Sequence, residues 1–373
     1  MTAPPSDPTA ALAVPAAAPL PRARRGTGRA VLEDVAKLAG VSTATVSRAF
    51  NEPDRVSASV RERVSAAART LNWIPNAAGR ALASTRTHIA GAIIPTLDEQ
   101  VFASQVSGMQ TALAEQGITL FLGCANYSPR QALAQVHAML GRGVEALAIV
   151  GERHPPALYE ALDHAGVPYV LTYGYRKDSP HPCIGFDNHA AFVVLTDHLL
   201  ALGHRRIALL IQPLAYNDRA VARVAGVHAA LARQGLEIAS GHYVEAAGSI
   251  ESARASLRTI WQAGAERPTA IICGNDQLAL GIMLEAAALG IAIPDDLSVT
   301  GFDDVAMARQ MHPALTTMAV DTGEIGRRAA RYLVDALNGT PTPPGPALLP
   351  VLHVRASTGP VPPPHSAGAP VAG

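Results

Sequence analysis

Residues 31–51, VLEDVAKLAGVSTATVSRAFN, leave room for little besides two short helices joined by a tight turn. Leu32, Val35, Ala36 and Ala39 recur at spacings of three and four, so they share one helix face. Gly40 then ends the helix, because glycine readily takes the left-handed conformation needed there. Ser42 is placed to cap a second helix, its hydroxyl accepting a backbone N–H of the next turn. That helix, Thr43 to Phe50, would bury Val46, Ala49 and Phe50 and leave Thr43, Ala44, Thr45, Ser47 and Arg48 outside. A solvent-facing helix start of small hydroxyl residues followed by an arginine suits a DNA major groove. An ordinary helical hairpin would carry the same turn, so the segments that follow have to decide.

Ser57 is placed to cap a third helix, with Val60, Val64, Ala67, Ala68 and Leu71 as its apolar stripe. The three helices make a unit of roughly 45 residues, the size of a DNA-binding module. LNWIPN closes it, since Pro75 cannot continue a helix. The alanine-rich piece NAAGRALA, Asn76 to Ala83, then leads into the strand-like HIAGAIIP.

Charge supports a nucleic-acid partner only through its distribution. Over 373 residues the formal net charge is zero. From Arg22 to Arg86, however, twelve Lys/Arg stand against five Asp/Glu, while from Thr87 onward eighteen stand against twenty-four. A basic head on an acidic body attracts phosphates without coating the body in DNA. Cys124, Cys183 and Cys273 are odd in number and scattered, which reads as buried free thiols of a reducing compartment. No apolar run approaches the ~18 residues of a membrane span. The first twenty residues are Ala/Pro-rich without lysine or arginine, unlike a signal peptide, and are expected to be a disordered tail. The expected location is the cytoplasm, on the nucleoid.

From His88 the pattern becomes short β-branched or apolar runs separated by helical segments. HIAGAIIP, ITLFLGC, ALAIV, YVLTY, CIGFD, RIALLI, YVEA, AIICG and SVTGFD read as buried strands. Ser104 to Gln116, Ala190 to Leu202 and Gln277 to Leu289 read as helices between them. Strict alternation implies parallel sheets covered on both faces, with ligand sites at the strand C-termini. A hydride-transfer enzyme fits poorly: no GxGxxG follows the first strand, and neither a phosphate-binding loop nor a nucleophile elbow appears. Asp303 and Asp304 are adjacent, so in an extended segment their side chains diverge rather than form an acid/base pair.

The chain resembles the lactose-repressor/galactose-repressor (LacI–GalR) family of bacterial transcription regulators. DVAKLAGVSTATVSR, LNWIPNAAGRALA, LGHRRIALL, GNDQLALG, and GFDD with the later PALTT carry the resemblance, in family order from Val31 to about Thr358. It implies an N-terminal all-α helix-turn-helix domain plus an α/β periplasmic-binding-protein-like core of two doubly wound parallel-sheet lobes. The expected boundaries are a tail over 1–28, the helix-turn-helix domain over 29–75, a hinge over 76–86, and a core over 87–358 followed by a tail over 359–373. The first crossover between lobes is expected near Asp187 and the return near Thr316, giving lobe 1 about 87–186 and 316–343 and lobe 2 about 187–315 and 344–358.

The resemblance also implies roles. Thr43, Ala44 and Arg48 would set operator sequence, with Ser42, Thr45 and Ser47 on phosphates. Asn76 and Leu82 belong to the hinge, Leu82 as a minor-groove wedge. In the cleft, Arg223 would grip hydroxyls or carboxylates, Asn275 would donate and accept, and Asp303 would accept from paired hydroxyls. Phe102 would lie against the ligand, with Arg219 and Tyr173 as further candidates. Core packing is an equal reading for Phe102, and helix capping an alternative for Asn275. The implied protein is a homodimer on a pseudo-palindromic operator, needing no cofactor or metal and responding to a small sugar or sugar acid of gluconate type. A transport-type sugar-binding protein would share the body and lack the DNA-binding head. Two departures from the family pattern stand out: Val31 where a Ser/Thr cap is usual, and Gly79 where the hinge usually carries alanine.

Overall fold

The computed structural model describes residues 30–74, 86–262, 267–340 and 342–361. The chain divides into two compact units, 1–86 and 87–373. In the first, α1 (Leu32–Ala39), α2 (Thr43–Asn51) and α3 (Ala58–Thr70) enclose a small core of Val35, Ala36, Ala39, Val46, Ala49, Val64, Ala67 and Ala68. Phe50 is only half-buried, with its ring 5.4 Å from that of Trp73. Gly40 ends α1 at φ +64°, the left-handed conformation anticipated for it. Val31 does precede α1 and offers no side-chain cap; Asp34, inside the first turn, reaches back instead, its Oδ2 accepting the Val31 N–H at 2.9 Å. Ser57 stands before α3 but caps nothing; its hydroxyl pairs with that of Ser59 at 3.3 Å. Asn76, Gly79 and Leu82 of the expected hinge lie outside the described residues, as do the tails 1–29 and 362–373.

The second unit holds two sheets. The first contains β1 (Ile89–Ile94), β2 (Thr119–Cys124), β3 (Ala146–Val150), β4 (Tyr169–Thr172) and β5 (Cys183–Ile184), all parallel, in the order β2-β1-β3-β4-β5. The second contains β6 (Ile207–Ile211), β7 (Tyr243–Glu245), β8 (Ala270–Cys273), β9 (Ser298–Asp303), β10 (Thr316–Ala319) and β11 (Val351–His353), in the order β11-β10-β9-β8-β6-β7. Only β11 runs antiparallel, Met318 facing Leu352. The central strands are apolar and wholly buried, as expected of parallel strands covered on both faces.

The predicted return crossover is corrected by one strand. Thr316–Ala319 pairs with β9, so β10 belongs to the second lobe. The chain crosses back only after Ala319, and the Thr322–Leu337 helix then packs on the Gln100–Ala114 helix of the first lobe. The packing is backbone to backbone: a Cβ on Gly326 would stand 2.0 Å from the Gln105 carbonyl oxygen, and one on Gly108 2.3 Å from that of Gly323. The expected start of the C-terminal tail is also corrected. Gly359 donates its N–H to Ser298 Oγ at 3.1 Å and Val361 to the Leu202 carbonyl at 3.0 Å, so the second lobe reaches Val361. Cys183 and Cys273 are buried, whereas Cys124 is only half-buried; all three are free thiols.

Candidate functional site

In the first unit the α2 start is built to be read from outside. Ser42 caps the helix, its Oγ accepting the Thr45 N–H at 3.1 Å and sharing a 2.9 Å hydrogen bond with the Thr45 hydroxyl. Thr43, Ala44 and Arg48 are exposed, and Thr45 and Ser47 are half-buried. Ser47 also accepts from Asn51 Nδ2 at 3.2 Å. No acidic side chain stands in the first turn, so the positive helix end is not offset locally. The surface has a neutral, small-residue start followed by one cation.

In the second unit the C-terminal ends of the two sheets face one cleft, where open α/β folds bind ligands. Glu99 and Phe102 follow β1, Tyr127 follows β2, and Gln212, Asn217 and Arg219 follow β6. Tyr173 follows β4, and Asp303 ends β9. All of these line one cavity together with Arg223. Five of the six residues proposed from the sequence therefore converge: Phe102, Tyr173, Arg219, Arg223 and Asp303. Asn275 stands at the edge of the group. It caps the Asp276–Ala288 helix, Oδ1 accepting from Leu278 N–H at 3.0 Å, and its Nδ2 points to Glu99 Oε2 at 3.4 Å. The capping reading of Asn275 is thus realised, and its side chain reaches the site only through Glu99. Phe102 is buried with its ring 5.1 Å from that of Tyr173, serving the core and the cavity wall at once.

Arg219 and Arg223 lie four residues apart on the Asp218–Ala232 helix and so share a face. Arg223 sits one turn inside that helix rather than at its start. Its guanidinium is held from three sides. Nε donates to Asn188 Oδ1 at 2.8 Å, Nη1 donates to the Gly274 carbonyl at 2.7 Å, and Cζ stands 4.2 Å above the Phe302 ring. Burial lowers its pKa from the usual arginine value, opposed by the nearby Asp303 carboxyl. Arg219 is equally buried but loosely held, with Nη1 3.4 Å from Asp218 Oδ1.

Asp303 closes the cavity on the second-lobe side. Its Oδ1 is buried with no hydrogen-bond partner. Burial pushes its carboxyl well above the usual carboxylate range, with the Arg223 charge pulling the other way. Its backbone lies at φ +113° and that of Asp304 at +54°, conformations costly for non-glycine residues. The strain aims the two carboxyls apart, as their adjacency suggested. Asp303 turns into the cleft, and Asp304 turns away to ion pairs with Arg355 at 2.6 Å and Arg309 at 2.9 Å. An orphaned polar atom held by a strained backbone in a cavity is the usual mark of a binding function.

Glu99, Tyr127, Gln212 and Asn217 were missed in the sequence. Each sits in a loop just beyond a strand, a placement that would have flagged them had every strand-end loop been searched for polar side chains. Glu99 organises one wall, accepting from the Tyr127 hydroxyl at 3.1 Å. The lobes also touch across the cleft, where the Glu152 N–H donates to Asp218 Oδ2 at 3.1 Å. Among the described residues no helix is long and apolar enough to cross a membrane.

Comparison with known proteins agrees with both halves. Residues 31–76 match the family described as bacterial regulatory proteins, lacI family, and residues 196–358 match a periplasmic binding protein-like domain. The HTH-type transcriptional regulator GntR of Escherichia coli (strain K12) is 31% identical over 317 residues, spanning 83% of this chain and 93% of that protein. The crystal structure of the lac repressor dimer bound to operator and the anti-inducer ONPF superposes with a TM-score of 0.78 at 29% identity, covering 89% of this chain and 99% of that one. A transcriptional regulator CelR–cellobiose complex superposes with a TM-score of 0.64 at 30% identity, covering 88% and 100%. Helix-turn-helix head, two-lobed core and relatives lead to one conclusion: the chain belongs to the lacI family of bacterial regulatory proteins, the DNA-binding transcription regulators with a periplasmic-binding-protein-like core.

Proposed function

We propose that this chain is a cytoplasmic repressor that binds a pseudo-palindromic operator as a homodimer and changes its operator affinity when a small sugar or sugar acid occupies the cleft. It works by binding alone and catalyses no reaction. The observation that carries the effector half is the buried, unpartnered Asp303 Oδ1 beside Arg219 and Arg223 at the meeting of the strand ends. A ligand hydroxyl there satisfies an oxygen that otherwise carries a desolvation cost of about 1–3 kcal/mol. Strand-end loops supply further donors and acceptors at Glu99, Gln212 and Asn217, a composition suited to a polyhydroxylated molecule.

For the operator half, Thr43, Ala44 and Arg48 read bases while Ser42, Thr45 and Ser47 hold phosphates. Arg48, exposed near the end of α2, has the fork that pairs bidentately with guanine. Asn76 and Leu82 complete the contact through the hinge. A transport-type sugar-binding protein would have no use for a capped, exposed helix start on a separate basic unit.

The test is a thermal-shift screen of sugars and sugar acids on the full chain, followed by operator binding with and without the best ligand. A ligand of the folded state raises the melting temperature by mass action. The proposal requires a ligand that both raises it and changes operator affinity. Operator binding indifferent to every cleft ligand refutes it.

A further inference from the structure

Beside this cavity lies a second compartment, set against the strand ends of the first lobe and walled on the other side by Tyr216 and Arg219 of the second, and the two compartments differ in charge. Tyr127 and Arg219 line both. The outer compartment adds the carboxyls of Glu99 and Asp303, and its one further cation, Arg223, already spends Nε and Nη1 on Asn188 and Gly274. An anion placed there meets two acids. The inner compartment adds Arg153 and His154 above an apolar floor that includes Ile94 and Val150, and none of its lining side chains is acidic.

The positive charge of the inner compartment comes from the arginines. Burial lowers the His154 pKa, and its Nε2 stands 3.2 Å from the Val150 carbonyl, the geometry of a neutral ring donating there. Arg153 is exposed and, among the described residues, makes no ion pair. Arg219 is buried and, among the described residues, its polar contact is the 3.4 Å one with Asp218, one of whose oxygens is taken by the Glu152 N–H. The planar forks of both arginines are therefore available to a carboxylate.

We infer that the effector lies lengthwise across the two compartments, its acidic end on Arg153 and Arg219 and its hydroxyls on Asp303 and Glu99, so that Arg153 selects a sugar acid over the neutral polyol of the same carbon chain. The inference rests on the proposed effector role of the cleft and adds a preference for the acid over the neutral ligand, the direction in which it lies and one specificity residue that the sequence did not mark. Arg153 is exposed, so replacing it leaves the core packing intact.

The experiment is titration calorimetry on the full chain with five- and six-carbon aldonates, each paired with its alditol. One aldonate should bind at least about tenfold more tightly than its alditol, and added salt should shrink the preference. Arg153→Gln should erase most of the preference by weakening the aldonate about tenfold while leaving the alditol unchanged. Arg153→Glu should favour the alditol. Equal binding of acid and alditol, or a preference that survives in both Arg153 variants, overturns the inference. Asp303→Asn separates the two readings. If it abolishes binding of both ligands while the Arg153 variants keep the acid preference, the cleft is the effector site and the inference alone fails. If no aldonate, alditol or sugar binds, both fall.

Discussion

Arg223 carries structure as well as recognition, and Arg223→Met measures how much. Methionine keeps most of the length and the contact with Phe302 and removes every donor. Two buried acceptors are then left open, Asn188 Oδ1 and the Gly274 carbonyl, now served at 2.8 and 2.7 Å. Each orphaned acceptor costs about 1–3 kcal/mol. Loss of the cation over Phe302, at 4.2 Å, adds about 0.5–2 kcal/mol. Relief from burying a guanidinium offsets part of this, since burial already lowers the Arg223 pKa. The expected net loss is about 2–4 kcal/mol, a large share of the 5–15 kcal/mol typical of a folded domain. The damage should concentrate in the second lobe, because Asn188 opens one of its helices and Gly274 follows β8. Urea unfolding followed by Trp261 fluorescence in a Trp73→Phe background reads that lobe without the head's signal. Arg223→Lys should fall between, retaining the charge and losing the fork. If Arg223→Met unfolds within 0.5 kcal/mol of the parent, a threshold at the resolution of such measurements, the hydrogen bonds are not structural and the residue acts on ligand alone. On the expected outcome, loss of ligand response in an Arg223 variant is ambiguous.

Asp303→Asn is the cleaner variant, because asparagine is isosteric and tolerates positive φ. Burial raises the folded-state pKa of Asp303, so its contribution to stability is present at low pH and is lost as pH rises through that folded value. Asp303→Asn should therefore melt higher than the parent at pH 8, with the difference shrinking toward pH 4, and should lose ligand affinity; a lower melting temperature at pH 8 contradicts the burial argument. Asp276, whose carboxyl burial lifts to about 7, should leave the variant a residual fall in stability as pH rises through neutrality, which Asp276→Asn removes. Gly326→Ala should cost more than about 2 kcal/mol by forcing apart the helix pair of the first lobe, where its Cβ would meet the Gln105 carbonyl at 2.0 Å; a melting temperature within 1 °C of the parent, well inside the shift a 1 kcal/mol change produces, would show that the pair repacks freely. Arg48→Ala should relax base preference at one position per half-site by about 1–3 kcal/mol; selection from random DNA that returns the parent consensus removes Arg48 from base readout.

Local chemistry decided much of this protein before any tertiary contact. The helix-turn-helix is written in a three-residue turn, an apolar stripe and a serine cap, all acting within one or two helical turns. The lobes are written as apolar runs, because a strand covered on both faces has no polar side to hide. Arg223 and Asp303 were legible because they stand beside strand ends and inside recognisable motifs. Other features depend on which strands become neighbours. β10 looked like part of the first lobe since the chain leaves for it immediately afterwards, and only its ladder with β9 assigns Thr316–Ala319 to the second. Gly359 and Val361 read as tail because their partners, Ser298, His204 and Leu202, lie dozens of residues away. Glu99, Tyr127, Gln212 and Asn217 are ordinary polar residues in four separate loops, and nothing local marks them. They become a site because parallel strands deliver their carboxyl ends to the same side of each sheet, and because two such sheets face each other. Arg153 is the sharpest case. A surface arginine in a charged loop is indistinguishable from any other until the fold sets it in the wall of the same cavity as Arg219, among lining side chains none of which is acidic.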